Sequence, residues 1–455
     1  MHTTDSTDAY RITPADRRRS IRMAYLNGGL WGLGNGLAGS TLVFYLASSY
    51  GATGLALSWL IASPSLVGVL RLLTPLGLDQ IGSRRRFCVG MFLASALVLL
   101  GLPLMSAPDL LPSAANSITA LVLCWAGYLL LERFGVVALW SWFGDLVPQR
   151  IRGRFVGCRS SWMNTGRVSG MVIAAVGTYA WRQRCTRLEQ MDQLWQGYAV
   201  SAVVGSLFLA AAAWPLMRMT DLPSPSDIGD RSPRVRLREL ARPFADARFL
   251  RLLLYGSWFS FANGISDTAV RVFQVSVLNL SFAEKRTLDA SSRGIQSLLM
   301  PWVGAQADRR GSVPVLVISQ GLVAAALLFL LIASAEAKWW IIGTYVLWIA
   351  YAGANVARPN LMLRLSDPKC SAAYTAAWFA WTQLVYALSA VAGGVLFDWM
   401  REHWQTVTWG SWQIDYFAAL FVAGWLLRSL AMWPAARIQE WRRGEHSLLV
   451  PLAKP

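Results

Sequence analysis

The residues able to do chemistry in this chain are a few carboxylates and arginines set inside apolar sequence. Glu132 and Arg133 stand in the middle of the apolar stretch 118–143, and Arg167 has a similar place in 154–181. Asp267 and Arg271 lie four apart in 250–277, and Arg358 lies towards the end of 339–363. A charged group in such a setting costs on the order of 3 kcal/mol to place at mid-membrane, so each is a candidate for function. Three kinds of chemistry are open to them. A carboxyl shielded from water can take up and release a proton, a guanidinium can hold a carboxylate or phosphate, and opposite charges can close a gate. Covalent catalysis has no support. The three histidines, His2, His403 and His446, lie near no nucleophile or metal cluster, and the five cysteines show no metal or disulfide spacing. No Gly-x-x-x-x-Gly-Lys-Ser/Thr nucleotide loop is present, so no cofactor, no metal and no enzyme are expected.

Helical spacing groups these residues with polar neighbours, because positions three and four apart share a face. Asn27, Trp31 and Asn35 make one stripe. Tyr128 aligns with Glu132, Asn164 with Arg167, and Asn263, Asp267, Arg271 and Gln274 make the longest polar stripe in the chain. Trp348, Tyr351, Asn355 and Arg358 form another, with Pro359 expected to bend the helix. Gly28, Gly32 and Gly36 run beside the first stripe in a Gly-x-x-x-Gly pattern that suits helix packing better than binding. Glu132 and Arg167 are expected to pair across helices, leaving Arg133 free. Arg71 and Arg159 are expected nearer the inner face, snorkelling or binding Asp145 or Asp79, and Arg428 is expected to be structural.

The elements that must position these groups are membrane spans. The chain has 455 residues, of which 55% are hydrophobic and only 15% charged, and its mean hydropathy is +0.39. Runs near 20 residues are long enough to cross a hydrocarbon core of roughly 30 Å, and only helices satisfy their own backbone there. An all-α polytopic fold with twelve spans is expected, at roughly 23–49, 55–77, 87–106, 118–143, 154–181, 197–217, 250–277, 287–306, 313–334, 339–363, 370–398 and 413–434. The net charge of +17 is spread over short loops rather than gathered in a nucleic-acid patch. With the N-terminus inside, most basic residues fall on the inner side. The outer loops keep only Arg182, Arg184, Arg187, Lys285, Arg286, Lys338 and Arg401. That bias predicts cytoplasmic termini. The expected organisation is a polar segment 1–22, a six-helix half 23–217, a basic Pro-containing loop 218–248, a second six-helix half 249–434 and a tail 435–455.

One loop occurs twice, about half a chain apart. The first copy runs from Pro75 through Asp79, Gly82, Arg84, Arg85 and Arg86, and the second holds Gly304, Asp308, Arg309, Arg310 and Gly311. Gly82 and Gly311 suit the positive φ of a tight reversal between helices. The aspartate of each copy can meet arginines and a neighbouring helix N-terminus. With Asp145, Pro148, Arg152 and Gly153 after the fourth span, this pattern resembles the major facilitator superfamily of transporters. That family's loop reads Gly-x-x-x-Asp-Arg/Lys-x-Gly-x-Arg/Lys-Arg/Lys. Here Pro75 replaces the first glycine and Gln80 the first basic residue, and the second copy lacks the trailing basic pair. The resemblance implies two pseudo-symmetric halves with the first, fourth, seventh and tenth spans lining a central cavity. It also implies a gating role for Asp79, Gly82, Arg84, Arg85, Asp145, Arg152, Gly304, Asp308, Arg309 and Gly311.

The function so expected is secondary active transport of a small molecule by alternating access, driven by protons or another coupling ion. Glu132 and Asp267 are the proton candidates. The solute contacts are expected among Asn27, Trp31, Asn35, Tyr128, Glu132, Arg133, Asn164, Arg167, Asn263, Asp267, Arg271, Asn355 and Arg358. The excess of arginine there suggests an anionic or carboxylate-bearing solute. The abundant tryptophan suggests efflux of amphipathic compounds instead, and a receptor or scaffold that moves nothing is a third reading. The glycines Gly157, Gly166 and Gly170 resemble an antiporter signature, but Arg167 intrudes and close packing explains them as well. A monomer in a bacterial inner membrane is expected, with the lipid bilayer as surroundings and no nucleic acid.

Overall fold

A computed structural model describes residues 13–39, 43, 67–105, 111–221, 233–280, 282–409 and 412–440. Helix α1, Pro14–Leu37, begins where the Thr13 hydroxyl accepts the Asp16 N–H and Pro14 takes the first helical position. It starts well before the expected 23, because the polar arginines 17–19 and 22 are good helix formers and the cap precedes them. The outer part of the first span and most of the second fall outside the described residues. A turn, Leu70–Leu73, leads into α2, Thr74–Ile81. Then come α3, Arg84–Met105, α4, Ala114–Leu146, α5, Arg152–Arg187, and α6, Leu194–Met217.

The segment 218–248, expected as a loop, carries a helix of its own, α7, Pro233–Ala245. Asp246 then caps the next helix, accepting the N–H groups of Arg248 and Phe249. That helix, α8, Ala247–Val272, ends in a π turn, Phe273–Val277. It is followed by α9, Phe282–Arg310, α10, Ser312–Ile332, α11, Lys338–Leu365, α12, Ser371–His403, and α13, Tyr416–Ala436. Between the last two lies a small antiparallel hairpin of β1, Val407–Trp409, and β2, Trp412–Ile414, so the fold is not purely helical. Arg182, Arg184 and Arg187, expected in an outer loop, are exposed positions on a helical extension of α5 in which Cys185 is buried. Gly82 and Gly311 adopt φ of 70° and 94°, the reversals that both loop copies were expected to need.

Seven of these helices are long and apolar enough to cross a membrane: Arg84–Leu102, Asn116–Leu146, Leu194–Met217, Ser312–Ile332, Lys338–Leu365, Ser371–His403 and Tyr416–Ala436. Large apolar side chains cover their outward faces, among them Leu97 at 70% and Val391 at 70% exposure, with Leu298 of α9 at 79%. A surface of that kind is stable against lipid rather than water, and the chain is a multi-pass membrane protein.

The cores show how the helices are tied. One core joins residues from both parts of the chain, with Trp142, Phe143, Phe155, Phe249, Tyr255, Leu361 and Tyr374 at its centre. Two others are separate: one holds Leu99, Leu121 and Tyr128, the other Val270, Phe273, Leu330 and Phe417. Helices from before and after the 222–232 segment therefore share a core at the end where the repeated loops lie, and keep separate cores away from it. The α1–α5 contact is backbone on backbone. A Cβ on Gly32 or Gly36 would collide with the carbonyls of Met163 and Arg167, and one on Gly166 or Gly170 with those of Gly29 and Leu33. The glycine stripes are packing surfaces, which removes the need for an antiporter signature.

Candidate functional site

The repeated loops gather at one end of the bundle, here called the loop end. There α9 crosses α5 closely enough that a Cβ on Gly304 would strike the Gly153 carbonyl, and one on Gly157 the Met300 carbonyl. This approach brings the Asp308 carboxylate to the N-terminus of α5. It accepts the N–H of Gly153 at 2.7 Å and of Arg154 at 2.7 Å, where free N–H groups and the helix dipole favour an anion. Arg364 of α11 reaches Asp308 at 3.4 Å and Glu440 at 2.6 Å. Glu440 in turn accepts the N–H groups of Ser312 and Val313, capping α10. Arg152 donates to the carbonyls of Leu363, Gly144 and Val147, joining α5, α11 and the end of α4.

The first loop copy is bonded more locally. Arg84 is buried against Asp145 and the Ser141 carbonyl, while Ser83 donates to Asp221 at 2.7 Å and Arg85 lies 3.5 Å from it. Asp79 lies in the last turn of α2 and has an interaction partner of its own. Arg309 is exposed. Beside this network Arg242 of α7 pairs with Asp367 at 2.7 Å, which raises the arginine's pKa above its ordinary value, and Tyr374 donates to Asp246. Sequence reading missed Arg364, Glu440, Asp221 and Asp246, because each meets its partner from a distant stretch of chain.

Above the loop end lies the charged cluster. Glu132 is 4% exposed and lies 3.4 Å from the Arg133 guanidinium, too poorly aligned for a hydrogen bond. Arg133, expected to be left free, instead stays with its own neighbour in sequence. Two long side chains fold together although their Cβ atoms diverge. Arg167 does not bond Glu132; it stacks on the Trp31 ring at 5.3 Å and lies within electrostatic reach of Glu132, Arg133, Tyr128 and Arg293. Asn35 donates to Tyr128 at 3.4 Å. Asn27 is 1% exposed, donates to the Ala212 carbonyl and accepts from Arg159, so it serves helix packing. Arg159 neither snorkels nor meets Asp145. It lies over the Trp140 and Phe143 rings at 5.4 and 5.0 Å. Asn164 is buried, with Met300 as its contact.

The residues from α8 and α11 are more nearly self-contained. Asp267 accepts from Arg271 at 2.8 Å and from Tyr386 at 3.0 Å. Asn263 accepts from Tyr351 at 3.0 Å. Arg358 donates to Asn355 and the Ala354 carbonyl, and stacks on Phe259 at 4.6 Å. Gln274, expected to extend the stripe, is buried on the π turn beside Tyr345. Arg428, expected to be structural, is 4% exposed and donates to Ser266.

No sequence-family model matches the chain, and no curated protein sequence matches it. Solved structures do. The human organic anion transporter MFSD10 (TETRAN) aligns over 93% of this chain and 100% of its own, with 16% identity and a TM-score of 0.61. The major facilitator superfamily proton:xylose symporter XylE, bound to 6-bromo-6-deoxy-D-glucose, aligns over 93% of this chain and 97% of its own, with 13% identity and a TM-score of 0.60. At such identities the likeness is one of fold.

Proposed function

We propose that this chain, which has the major facilitator fold, is a secondary transporter that carries a small anionic solute by alternating access and couples it to protons through Glu132. The observation that supports this most is the position of the charged cluster. Glu132, Arg133 and Arg167 lie just beyond an end of the bundle that Asp308, Arg152 and Arg364 hold shut. Separate cores on the far side leave the two groups of helices free to approach or part there. With the loop end cytoplasmic, as the basic residues favour, this is a state closed to the inside. On this reading the chain has twelve spans, with Asp79, Arg84, Asp145, Asp308 and Arg364 as inner latches; the seven described helices long and apolar enough to cross a membrane support it.

The anionic preference rests on charge. Arg271 is consumed by Asp267, which also meets Tyr386 and is thereby a weaker proton candidate than Glu132. Among the described residues, Glu132 is the acidic side chain that Arg133 and Arg167 have between them. The similar solved structure of MFSD10 is that of an organic anion transporter, which fits the same class. Proteoliposomes holding the full chain test the reading. Uptake of a carboxylate should follow an imposed pH gradient, and Glu132→Gln should abolish that dependence. Gradient-driven uptake that survives in Glu132→Gln would remove Glu132 from the coupling role.

A further inference from the structure

Arg71 is the buried cation that neither the loop network nor the expected cavity residues absorb. It sits in the turn Leu70–Leu73 ahead of α2, where chain position suggested a side chain reaching for the loop face. The side chain turns inward instead. It is 1% exposed and lies over the Phe379 ring of α12 at 5.2 Å; its turn packs against both α12 and α4, the helix that carries Glu132 and Arg133, and those two residues are within electrostatic reach. Its Nε and Nη2 have no hydrogen-bond partner.

The same is true of its surroundings. Arg133 Nε, Arg167 Nε and Trp31 Nε1 are buried and make no hydrogen bond; Arg133 Nε has only its 3.4 Å ion-pair contact with Glu132 Oε2, which is the one buried acceptor of the cluster without a hydrogen bond among the described residues. Unpaired buried donors are costly, more so on a cation. Glu132 makes its ion-pair contact with Arg133 alone, so Arg71 and Arg167 have no carboxylate in contact among the described residues. The cluster is built for an acceptor-rich group that the chain itself does not supply.

We propose that Arg71, Arg133 and Arg167 together form the seat for the carboxylate of an organic anion, and that Glu132 occupies part of this seat when the solute is absent. The proposal rests on the central cluster being the transport site and names the solute class and a residue that determines it. Two observations favour a carboxylate with an apolar body over phosphate. The group already in the seat is a carboxylate, and the rings of Phe379 and Trp31 flank the guanidiniums. Arg71 lies where the Leu70–Leu73 turn meets α12, so parting of these elements would uncover it.

The test uses the purified full chain and two probes, benzoate and inorganic phosphate, with affinity read from the ligand-dependent rise in melting temperature. Benzoate should stabilise the native sequence saturably and phosphate should not. Arg71→Gln should weaken benzoate about tenfold and Arg71→Lys less, since lysine keeps the charge but loses the paired N–H groups. Glu132→Gln should tighten benzoate, because its resident competitor is neutral. Arg184→Gln, whose guanidinium stacks on Trp181 far from the cluster, should match the native sequence. If Arg71→Gln fails to fold, Arg71→Lys carries the test. Unchanged benzoate affinity in a folded Arg71 variant, with loss in Arg133→Gln, overturns the assignment of Arg71 and leaves the transport reading intact. A response to phosphate alone overturns the carboxylate, and indifference to both probes overturns the anionic seat. Benzoate bound at the seat but never taken up into proteoliposomes would leave the seat standing and remove the transport function.

Discussion

Asp308 shows what one residue contributes at the loop end. Its carboxylate meets two backbone N–H groups of α5 and the Arg364 guanidinium at once. Asp308→Asn keeps one acceptor oxygen but loses the charge, and should weaken the closed loop end by about 1–3 kcal/mol. A cysteine placed at Leu363, 5% exposed beside Arg152, should then react faster with a membrane-impermeant maleimide from the loop side, turnover should fall, and the choice of solute should not change. Altered selectivity at normal turnover would contradict a latch role. Glu440→Gln should act in the same direction, since Glu440 holds both Arg364 and the N-terminus of α10. Only the first of these residues was legible in the chain. Asp308 belongs to a repeated local pattern, while Glu440 and Arg71 become meaningful through partners far away in sequence. Glu132 and Arg133 failed differently: face geometry said that they diverge, but long side chains with no better partner fold back on each other.

Among the elements, the α1–α5 pair is the most tightly determined. Glycine at 32, 36, 166 and 170 lets the two backbones touch, and no side chain larger than hydrogen fits. Gly32→Val should cost roughly 1–3 kcal/mol or more through overpacking and lower the melting temperature of the purified protein by several degrees. The same substitution at Gly90, whose Cβ would meet nothing within 4 Å, should be nearly neutral, so equal effects at both sites would discount the close crossing. This pairing was legible because a four-residue glycine period survives translation into a helix face. Helix α7 was not. Its arginines and prolines read as a linker, since an amphipathic helix at a surface lacks the long apolar run that marks a span. Its tie to Asp367 is half exposed at Arg242, so Arg242→Gln should change stability by no more than about 1 kcal/mol. High salt should erase the difference between the two proteins in a melting experiment.

For the molecule as a whole, the arrangement of cores decides which motion is available. The shared core around Phe143, Phe155 and Tyr374 and the glycine crossing of α5 and α9 make the loop end a solid junction. The separate cores elsewhere mean that each group of helices can move as a body without unpacking. Rocking about the middle would break the Asp308 and Arg152 bonds in one step, uncover Arg71, and carry Glu132 from one aqueous side to the other. Cysteine substitutions at Ser160 and Asn355, which lie on α5 and α11 between the loop end and the far end, should report this as opposite changes of accessibility. In Asp308→Asn they should become more reactive from the loop side and less reactive from the far side. A rise from both sides together would mean loosening rather than alternation, and would remove the rocking motion from the mechanism. The helical, multi-pass character was legible because hydropathy acts along the whole chain. Which end is closed was not, because it depends on contacts between helices that no local pattern records.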